Sequence, residues 1–188
     1  MINYRAFIVG IKTTSLTQKE KKFLKKYKPW GVILFTRNIK NIKQTRELTT
    51  SIRKIFGNKK YPILIDQEGG RVNRLKTLIS FDNLTSEFFG KKFINNPKEF
   101  SSFYKLFIDK TSELLKLIGV NINTSPVLDL RVKGSSNIIG DRSFSNNPKI
   151  VSKIGDFCIN NYHQNGIATV IKHIPGHGLA KVDSHHFT

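Results

Sequence analysis

The order of apolar and amphipathic segments predicts an α/β fold built on a parallel sheet. Five short apolar runs alternate with segments whose apolar residues recur at helical spacing, in the order β-α-β-α-β-α-β-α-β. The runs are nearly continuously apolar, which is typical of parallel strands covered by helices. Two architectures fit this pattern: a five-stranded doubly wound sheet, and the first five strands of an eight-stranded βα barrel, which needs about 250 residues.

The predicted strands are short runs of mainly apolar residues bounded by polar or helix-ending residues. They are Arg5–Ile11, Gly31–Phe35, Pro62–Asp66, a strand within Asn121–Leu130, and Ile167–His173. Residues 67–95 are predicted to be irregular.

Capping signals set the helix boundaries. Thr17 followed by Glu20 forms a capping box, and the helix it begins carries Phe23, Leu24 and Tyr27 on its apolar face. Later helices are predicted to begin after Asn41, Asn96 and Asn147, the last two with Pro97 and Pro148 at the first helical position, and to end at Gly57, Gly119 and Gly166.

The length and composition fit one globular domain. A chain of 188 residues with 38% hydrophobic residues can bury a substantial core. Cys158 is the one cysteine, which excludes an internal disulfide and suits a reducing compartment. No apolar run approaches the roughly 20 residues of a membrane span. The N-terminal stretch lacks the basic start and cleavage site of a signal peptide, and we interpret it as the first strand.

The net charge of +19 has two explanations. A functional basic surface would point to nucleic acid or another anionic partner. Compositional drift toward residues with AT-rich codons would produce the same charge, and Lys outnumbers Arg 24 to 8. Because nucleic-acid readers favour the forked donors of Arg, the composition favours drift over a specific nucleic-acid partner.

Polar residues cluster where the predicted strands end, which is where α/β folds bind ligands. Strand 3 ends at Asp66, strand 4 near Asp129 and strand 5 at His173. Three kinds of site are open: a phosphate loop around the glycine pairs, an acid/base or sugar site, and a metal site. The metal site would use His173, His177, Asp183 and His185, although their spacing matches no familiar metal motif.

Four of these stretches, in order, resemble the bacterial β-N-acetylglucosaminidases of glycoside hydrolase family 3. They are DQEGGRVNRL (66–75), NIIGDRSF (137–144), KHIPGHG (172–178) and DSHH (183–186). VILFTRN (32–38) and SPVLDL (125–130) fit the same family, so the resemblance runs from about residue 5 to the last residue. It implies a TIM-type (β/α)8 barrel domain over 1–188, truncated after about five βα units.

The resemblance also implies an activity, retaining hydrolysis of terminal β-N-acetylglucosamine, and it assigns residues to that activity. By motif position, His185 is the general acid/base and Asp183 its partner. The implied nucleophile is an Asp on a later strand, beyond residue 188, so we expect this polypeptide alone to be inactive and to associate. The implied sugar-binding residues are Asp66, Arg74, Arg142, Lys172 and His173.

The resemblance implies a partner and a location as well. The partner is an N-acetylglucosamine-containing glycan or muropeptide from peptidoglycan recycling in the cytoplasm, with no metal, cofactor, specific nucleic acid or membrane. The oligomeric state stays open. The alternative is a non-catalytic α/β domain that binds a sugar or an anion through the same strand-end residues.

Overall fold

The fold was analysed in a computed structural model, which describes residues 3–134 and 137–180. Its five strands form one all-parallel sheet in the order β1-β2-β3-β4-β5. The strands are β1 (Arg5–Gly10), β2 (Pro29–Leu34), β3 (Ile63–Ile65), β4 (Ile122–Asn123) and β5 (Ala168–Thr169). All five predicted strands are therefore confirmed, although the last three are shorter than the apolar runs that predict them.

Within the described residues, five α-helices connect these strands. They are α1 (Gln18–Tyr27), α2 (Ile42–Phe56), α3 (Ser86–Asn95), α4 (Pro97–Ile118) and α5 (Pro148–Gln164). The predicted caps are confirmed: Thr17 and Glu20 form the capping box of α1, and Asn41, Asn96 and Asn147 accept hydrogen bonds at the starts of α2, α4 and α5.

Two local predictions are wrong. Residues 67–95 are not wholly irregular, because Thr85 caps α3, whose Phe89 ring packs against Tyr104 and Phe107 of α4. This aromatic packing stabilises a helix that carries Gly90 in its middle, a position where glycine lowers helix propensity. On the predicted apolar face of α1, Phe23 is 40% exposed, and Leu24 is the residue that this helix buries.

The core lies between the helices and one face of the sheet. Val32, Leu34, Ile63 and Ile65 belong to the buried cluster that also contains residues of α2, α4 and α5. The alternate positions of the strands face the other side, where Ile33, Leu64, Ile122 and Ala168 are register partners.

The sheet is open at both edges. Within the described residues, β1 pairs only with β2 and β5 only with β4. Apolar side chains stand exposed at these edges, with Ile8 on β1 and Val170 and Ile171 just after β5. A closed barrel would pair these strands, so the open sheet is consistent with an incomplete barrel.

Among residues 3–134 and 137–180, no helix combines the length and the apolar character that crossing a membrane requires.

Gly90 gives a test of the packing between α3 and the segment around Phe144. A Cβ at Gly90 would overlap the Phe144 carbonyl oxygen, whereas a Cβ at Gly155 of α5 would meet only the tip of Leu128, 2.8 Å away. We expect Gly90→Ala to lower the free energy of unfolding by about 1–3 kcal/mol, as overpacking against a rigid backbone does. Urea denaturation of the purified chain measures it.

Gly155→Ala is the matched control, because it also replaces a buried helical glycine. We expect a change within about 1 kcal/mol, since alanine's better helix propensity offsets a small shift of Leu128. Equal effects of the two substitutions would contradict the close contact between α3 and Phe144.

Candidate functional site

The candidate site lies where β3, β4 and β5 end. Asp66 follows β3 directly, Thr124 follows β4, and Lys172 lies three residues beyond β5. A parallel bridge between Val127 and Lys172 continues the pairing of these two segments past the short strands. Side chains from three neighbouring segments therefore converge on one end of the sheet, as parallel strand ends do.

Asp66 has three polar neighbours. Its Oδ1 accepts a short hydrogen bond from the Thr124 hydroxyl and lies 3.2 Å from Lys172 Nζ, and Oδ2 lies 3.8 Å from Arg74 Nη2. Burial alone would raise the pKa of Asp66, but Lys172, the Thr124 hydroxyl and Arg74 outweigh it and hold that pKa below its usual value. Asp66 is thus an ionised carboxylate with lone pairs free for a ligand's hydroxyl groups.

Glu68 is a deeply buried charge that two cations of the site share. Its side chain is 3% exposed, and its two carboxylate oxygens accept hydrogen bonds from Nε and Nη2 of Arg142, at 2.8 and 2.9 Å. Lys172 Nζ lies 2.5 Å from Glu68 Oε1. Burial raises the pKa of Glu68, but the two cations and their hydrogen bonds bring it below the usual value. The Glu68 carboxylate therefore binds two cations at once: Lys172, which follows β5, and Arg142, which lies in the loop before α5.

Arg71 holds that loop in place. Its Nη2 donates to the carbonyl oxygens of Asn137, Ile138 and Ile139, at 2.6–2.9 Å, and its Nε lies 2.9 Å from an Asp141 carboxylate oxygen. The loop carries Arg142 into the site through a short 3-10 turn, Gly140–Arg142.

Asp129 organises the segment after β5. His173 Nδ1 lies 2.5 Å from Asp129 Oδ2, and the backbone N–H of His177 donates to Oδ1. Burial raises the pKa of Asp129, but these hydrogen bonds and the His173 ring lower it below its usual value. Because an ionised Asp129 can only accept a hydrogen bond, His173 donates to it from Nδ1–H and presents Nε2 to the site, 3.5 Å from Arg142 Nη2.

Gln67 positions Arg74 through the backbone. Its Oε1 accepts hydrogen bonds from the N–H groups of Arg74 and Leu75, and its own N–H donates to Asn123 of β4. The turn passes through Gly69 at φ +94°, where a Cβ would overlap the Leu84 carbonyl oxygen. Arg74 therefore lies at a fixed place between Asp66 and the ring of Phe35, 5.7 Å from the ring centroid.

A cavity of about 450 Å³ adjoins His173 on the β5 side. Leu128, Leu130, Ile171 and Leu179 give it mainly apolar walls, and Asp129, Lys172 and His173 supply its polar edge. The cluster can thus offer charged hydrogen-bond partners beside an apolar surface, the combination that fits a ligand with several hydroxyl groups and a carbon skeleton.

The structure brings five predicted site residues together: Asp66, Arg74, Arg142, Lys172 and His173. Asp183 and His185 lie outside the described residues. The metal hypothesis included those two, and within the described ranges no three His, Cys, Asp or Glu side chains are grouped to hold a metal ion.

The sequence did not reveal the importance of Glu68, to which it assigns no role, or of Asp129, which it places only near the end of strand 4. The strand alternation was the available signal, since Glu68 follows Asp66 at the two-residue spacing that returns a side chain to the same face. Nothing in the local sequence indicates that Glu68 meets Arg142, which lies 74 residues away.

Known proteins resemble this chain in sequence and in fold. The sequence profile described as "Glycosyl hydrolase family 3 N terminal domain" matches residues 6–188. A β-hexosaminidase of Hydrogenovibrio crunogenus is 37% identical over 178 residues, which cover 95% of this chain and 49% of the relative.

Solved structures of NagZ from Neisseria gonorrhoeae share the fold. The native form matches with a TM-score of 0.86 and 29% identity, over 98% of this chain and 53% of that one. The complex with N-trifluoroacetyl-D-glucosamine matches with a TM-score of 0.81 and 29% identity, over 98% and 54%. This chain spans about half the length of these relatives. Of the two predicted architectures, the incomplete barrel is correct.

Glu68→Gln tests whether the buried carboxylate holds the site together. It leaves Arg142 and Lys172 without their shared negative partner, and breaking a buried ion pair from one side costs about 3–5 kcal/mol of unfolding free energy. Glu113→Gln, at an exposed pair with Lys110, is the control, for which we expect less than about 0.5 kcal/mol. Urea denaturation at neutral pH measures both.

The pH dependence of stability in the parent and in Glu68→Gln gives a second test of the Glu68 ion pairs. Because the folded-state pKa of Glu68 lies below its usual value, its stabilisation is complete above the unfolded-state pKa and is lost as the pH falls through the folded-state pKa. The stability difference between the parent and Glu68→Gln should therefore narrow on acidification. A difference that stays constant, or that is absent at neutral pH, would contradict the network.

Proposed function

The chain belongs to glycosyl hydrolase family 3, as its N-terminal domain, and we propose that it forms the sugar-binding part of a retaining β-N-acetylglucosaminidase. In this proposal 1–188 is a barrel domain incomplete at its C-terminus, and the whole enzyme removes terminal non-reducing β-N-acetylglucosamine. The observation that carries the proposal is the convergence of Asp66, Arg142 and Lys172, from three separate motifs, on one end of the sheet.

The proposed binding roles follow from charge and position. Asp66 accepts hydrogen bonds from sugar hydroxyl groups, because it is ionised and its contact with Arg74 at 3.8 Å leaves lone pairs free. Arg74, Lys172 and the Nε2 atom of His173 surround it and fix which hydroxyl pattern fits. Arg142, whose Nε and Nη2 are committed to Glu68, holds the site's shape and faces the sugar beside His173.

The proposed chemistry uses residues outside the described part of the chain. His185, oriented by Asp183, donates a proton to the leaving oxygen and then takes one from the attacking water. A carboxylate beside an imidazole favours its charged form, which gives the proton to be donated. The nucleophile, an Asp on a later strand, forms the covalent glycosyl intermediate of a retaining enzyme.

The proposed setting is peptidoglycan recycling in the cytoplasm, with an N-acetylglucosamine-containing glycan or muropeptide as substrate. Support comes from the relatives, which are named β-hexosaminidases, and from the neighbouring structure that holds N-trifluoroacetyl-D-glucosamine. The proposal needs no metal, cofactor, specific nucleic acid or membrane.

The 188-residue polypeptide by itself is the first test. We expect no release of nitrophenol from a nitrophenyl N-acetylglucosaminide, because retaining hydrolysis needs both the acid/base and the nucleophile. Absorbance of nitrophenolate measures it, with His185→Ala as the control variant. Release by the pure chain that His185→Ala abolishes would overturn the proposed division of the active site.

The state of this polypeptide in solution separates the enzyme proposal from a non-catalytic binding module. The module is favoured by one observation, that the cluster around Asp66 is assembled without any further strand. The unpaired edges of β1 and β5 lead us to expect association in light scattering. A monomer with a cooperative thermal transition that N-acetylglucosamine raises would instead favour the module.

Asp66→Asn tests the proposed sugar site directly. An amide cannot offer two charged acceptor oxygens, so we expect N-acetylglucosamine to bind at least about tenfold more weakly. Equilibrium dialysis measures this and tolerates association. Asp109→Asn, at the exposed pair with Lys105, is the matched control and should leave binding unchanged. If the parent and Asp66→Asn bound N-acetylglucosamine equally well, the sugar would not bind at this cluster.

A further inference from the structure

We infer that a second binding site, for a compact phosphorylated ligand, lies at the opposite end of the sheet from the Asp66 cluster. It is a cavity of about 560 Å³ at the C-terminal part of α2 and the turn after it. Because α2 leads into β3, this cavity lies at the strand's starting end, whereas the sugar-binding candidates follow the strand ends. The inference is independent of the proposed glycosidase function.

The pocket is strongly basic. Arg46, Arg53, Lys54 and Lys59 line it together with Thr50, Gly57 and Asn58, and none of these lining residues is acidic. The residues from 46 to 57 recur at spacings of three, four and seven, which place them on one face of α2. Gly57, at φ +60°, turns the chain so that Asn58 and Lys59 close the pocket's end.

In the described part of the chain the four cations have no acidic partner. Within residues 3–134 and 137–180, none of them has a carboxylate oxygen within 4.0 Å. Glu113 lines an adjoining pocket with Arg46 but is paired with Lys110 at 3.0 Å. The positive charge of the pocket is therefore uncompensated by the described part of the chain.

The effect of this uncompensated positive charge is clearest at Arg53. Its Nε atom is buried and has no hydrogen-bond partner within the described residues. Burial, and then repulsion by Arg46, lower the pKa of the Arg53 guanidinium. Arg46 is anchored beside it, since its Nη1 donates to the Lys116 carbonyl oxygen at 3.0 Å. An anion in the pocket would offset the repulsion between the two guanidinium groups.

The shape of the pocket favours a compact ligand that carries one or more phosphate groups. Two forked guanidinium groups and two lysines match phosphate oxygens, and the Thr50 and Asn58 side chains can bind neutral polar groups beside them. A concave site about three turns of helix long suits a small molecule better than an extended nucleic acid, which needs a longer track of charge.

Tripolyphosphate is the probe that tests the site, in equilibrium dialysis with the 188-residue chain at about 50 mM salt. Lys54→Glu with Lys59→Glu reverses two exposed pocket charges. We expect this variant to bind at least about tenfold more weakly, because charge pairs within a few ångströms of the phosphates are lost. Lys22→Glu with Lys25→Glu makes the same change in net charge at exposed positions of α1 that do not line the pocket, and it should weaken binding less than about threefold.

The outcomes separate a built site from general attraction to a basic protein. Circular dichroism melting of each variant establishes that it is folded. Equal weakening by both variants, or no binding of tripolyphosphate at millimolar concentration, would overturn the site. A single-stranded 20-mer DNA that binds more tightly than tripolyphosphate and is weakened by the pocket variant would overturn the compact ligand in favour of nucleic acid.

Discussion

The candidate site depends on the ion pairs that the buried carboxylate of Glu68 forms with Arg142 and Lys172. A side chain that is 3% exposed can stay charged only if cations and hydrogen bonds replace the water it has lost. Arg142 and Lys172 do so, and they come from segments that follow different parts of the sheet. The requirement to neutralise one buried charge therefore fixes two cations in place.

The other site residues take their positions from this centre. Lys172, held by Glu68, also approaches Asp66 at 3.2 Å, so the carboxylate that offers lone pairs to a ligand lies beside a fixed positive charge. Arg142, held by Glu68, lies 3.5 Å from His173, whose other ring nitrogen is bound to Asp129. Two buried carboxylates thus orient the groups that face the ligand, while neither is free to bind the ligand itself.

Hydrogen bonds from side chains, rather than strand pairing, position the segments that follow β3 and β4. β4 and β5 are two residues long, too short to hold a site rigidly through ladder hydrogen bonds alone. Asn123 compensates by exchanging hydrogen bonds with the backbone of Gln67, whose own side chain holds Arg74 and Leu75. Most of these bonds are to the backbone, so they fix the course of the chain.

Local signals in the sequence predicted most of the fold, because strands and helix caps are local. Thr17, Asn41, Asn96 and Asn147 cap helices as predicted, since a cap needs only residues three or four positions apart. The helix α3 escaped prediction because its stability comes from contacts with α4 across the core.

The candidate site was predictable only in part. The strand ends pointed to Asp66 and His173, because polar residues stand out against apolar strands, and the family resemblance added Arg74, Arg142 and Lys172. The roles of Glu68 and Asp129 depend on partners 74 and 44 residues away, and no local pattern specifies contacts at that separation. The pocket on α2 was hidden in the same way, since the evenly distributed lysines gave no sign that four cations converge there.

We propose that residues 3–134 and 137–180 already contain an assembled sugar-binding site. A crystal structure of the chain with N-acetylglucosamine tests it most directly. We expect sugar hydroxyl groups within hydrogen-bond distance of Asp66 and Lys172, with the Glu68–Arg142 pair intact. A sugar bound elsewhere, or an Asp66 cluster that is empty while the sugar is ordered in the crystal, would contradict it.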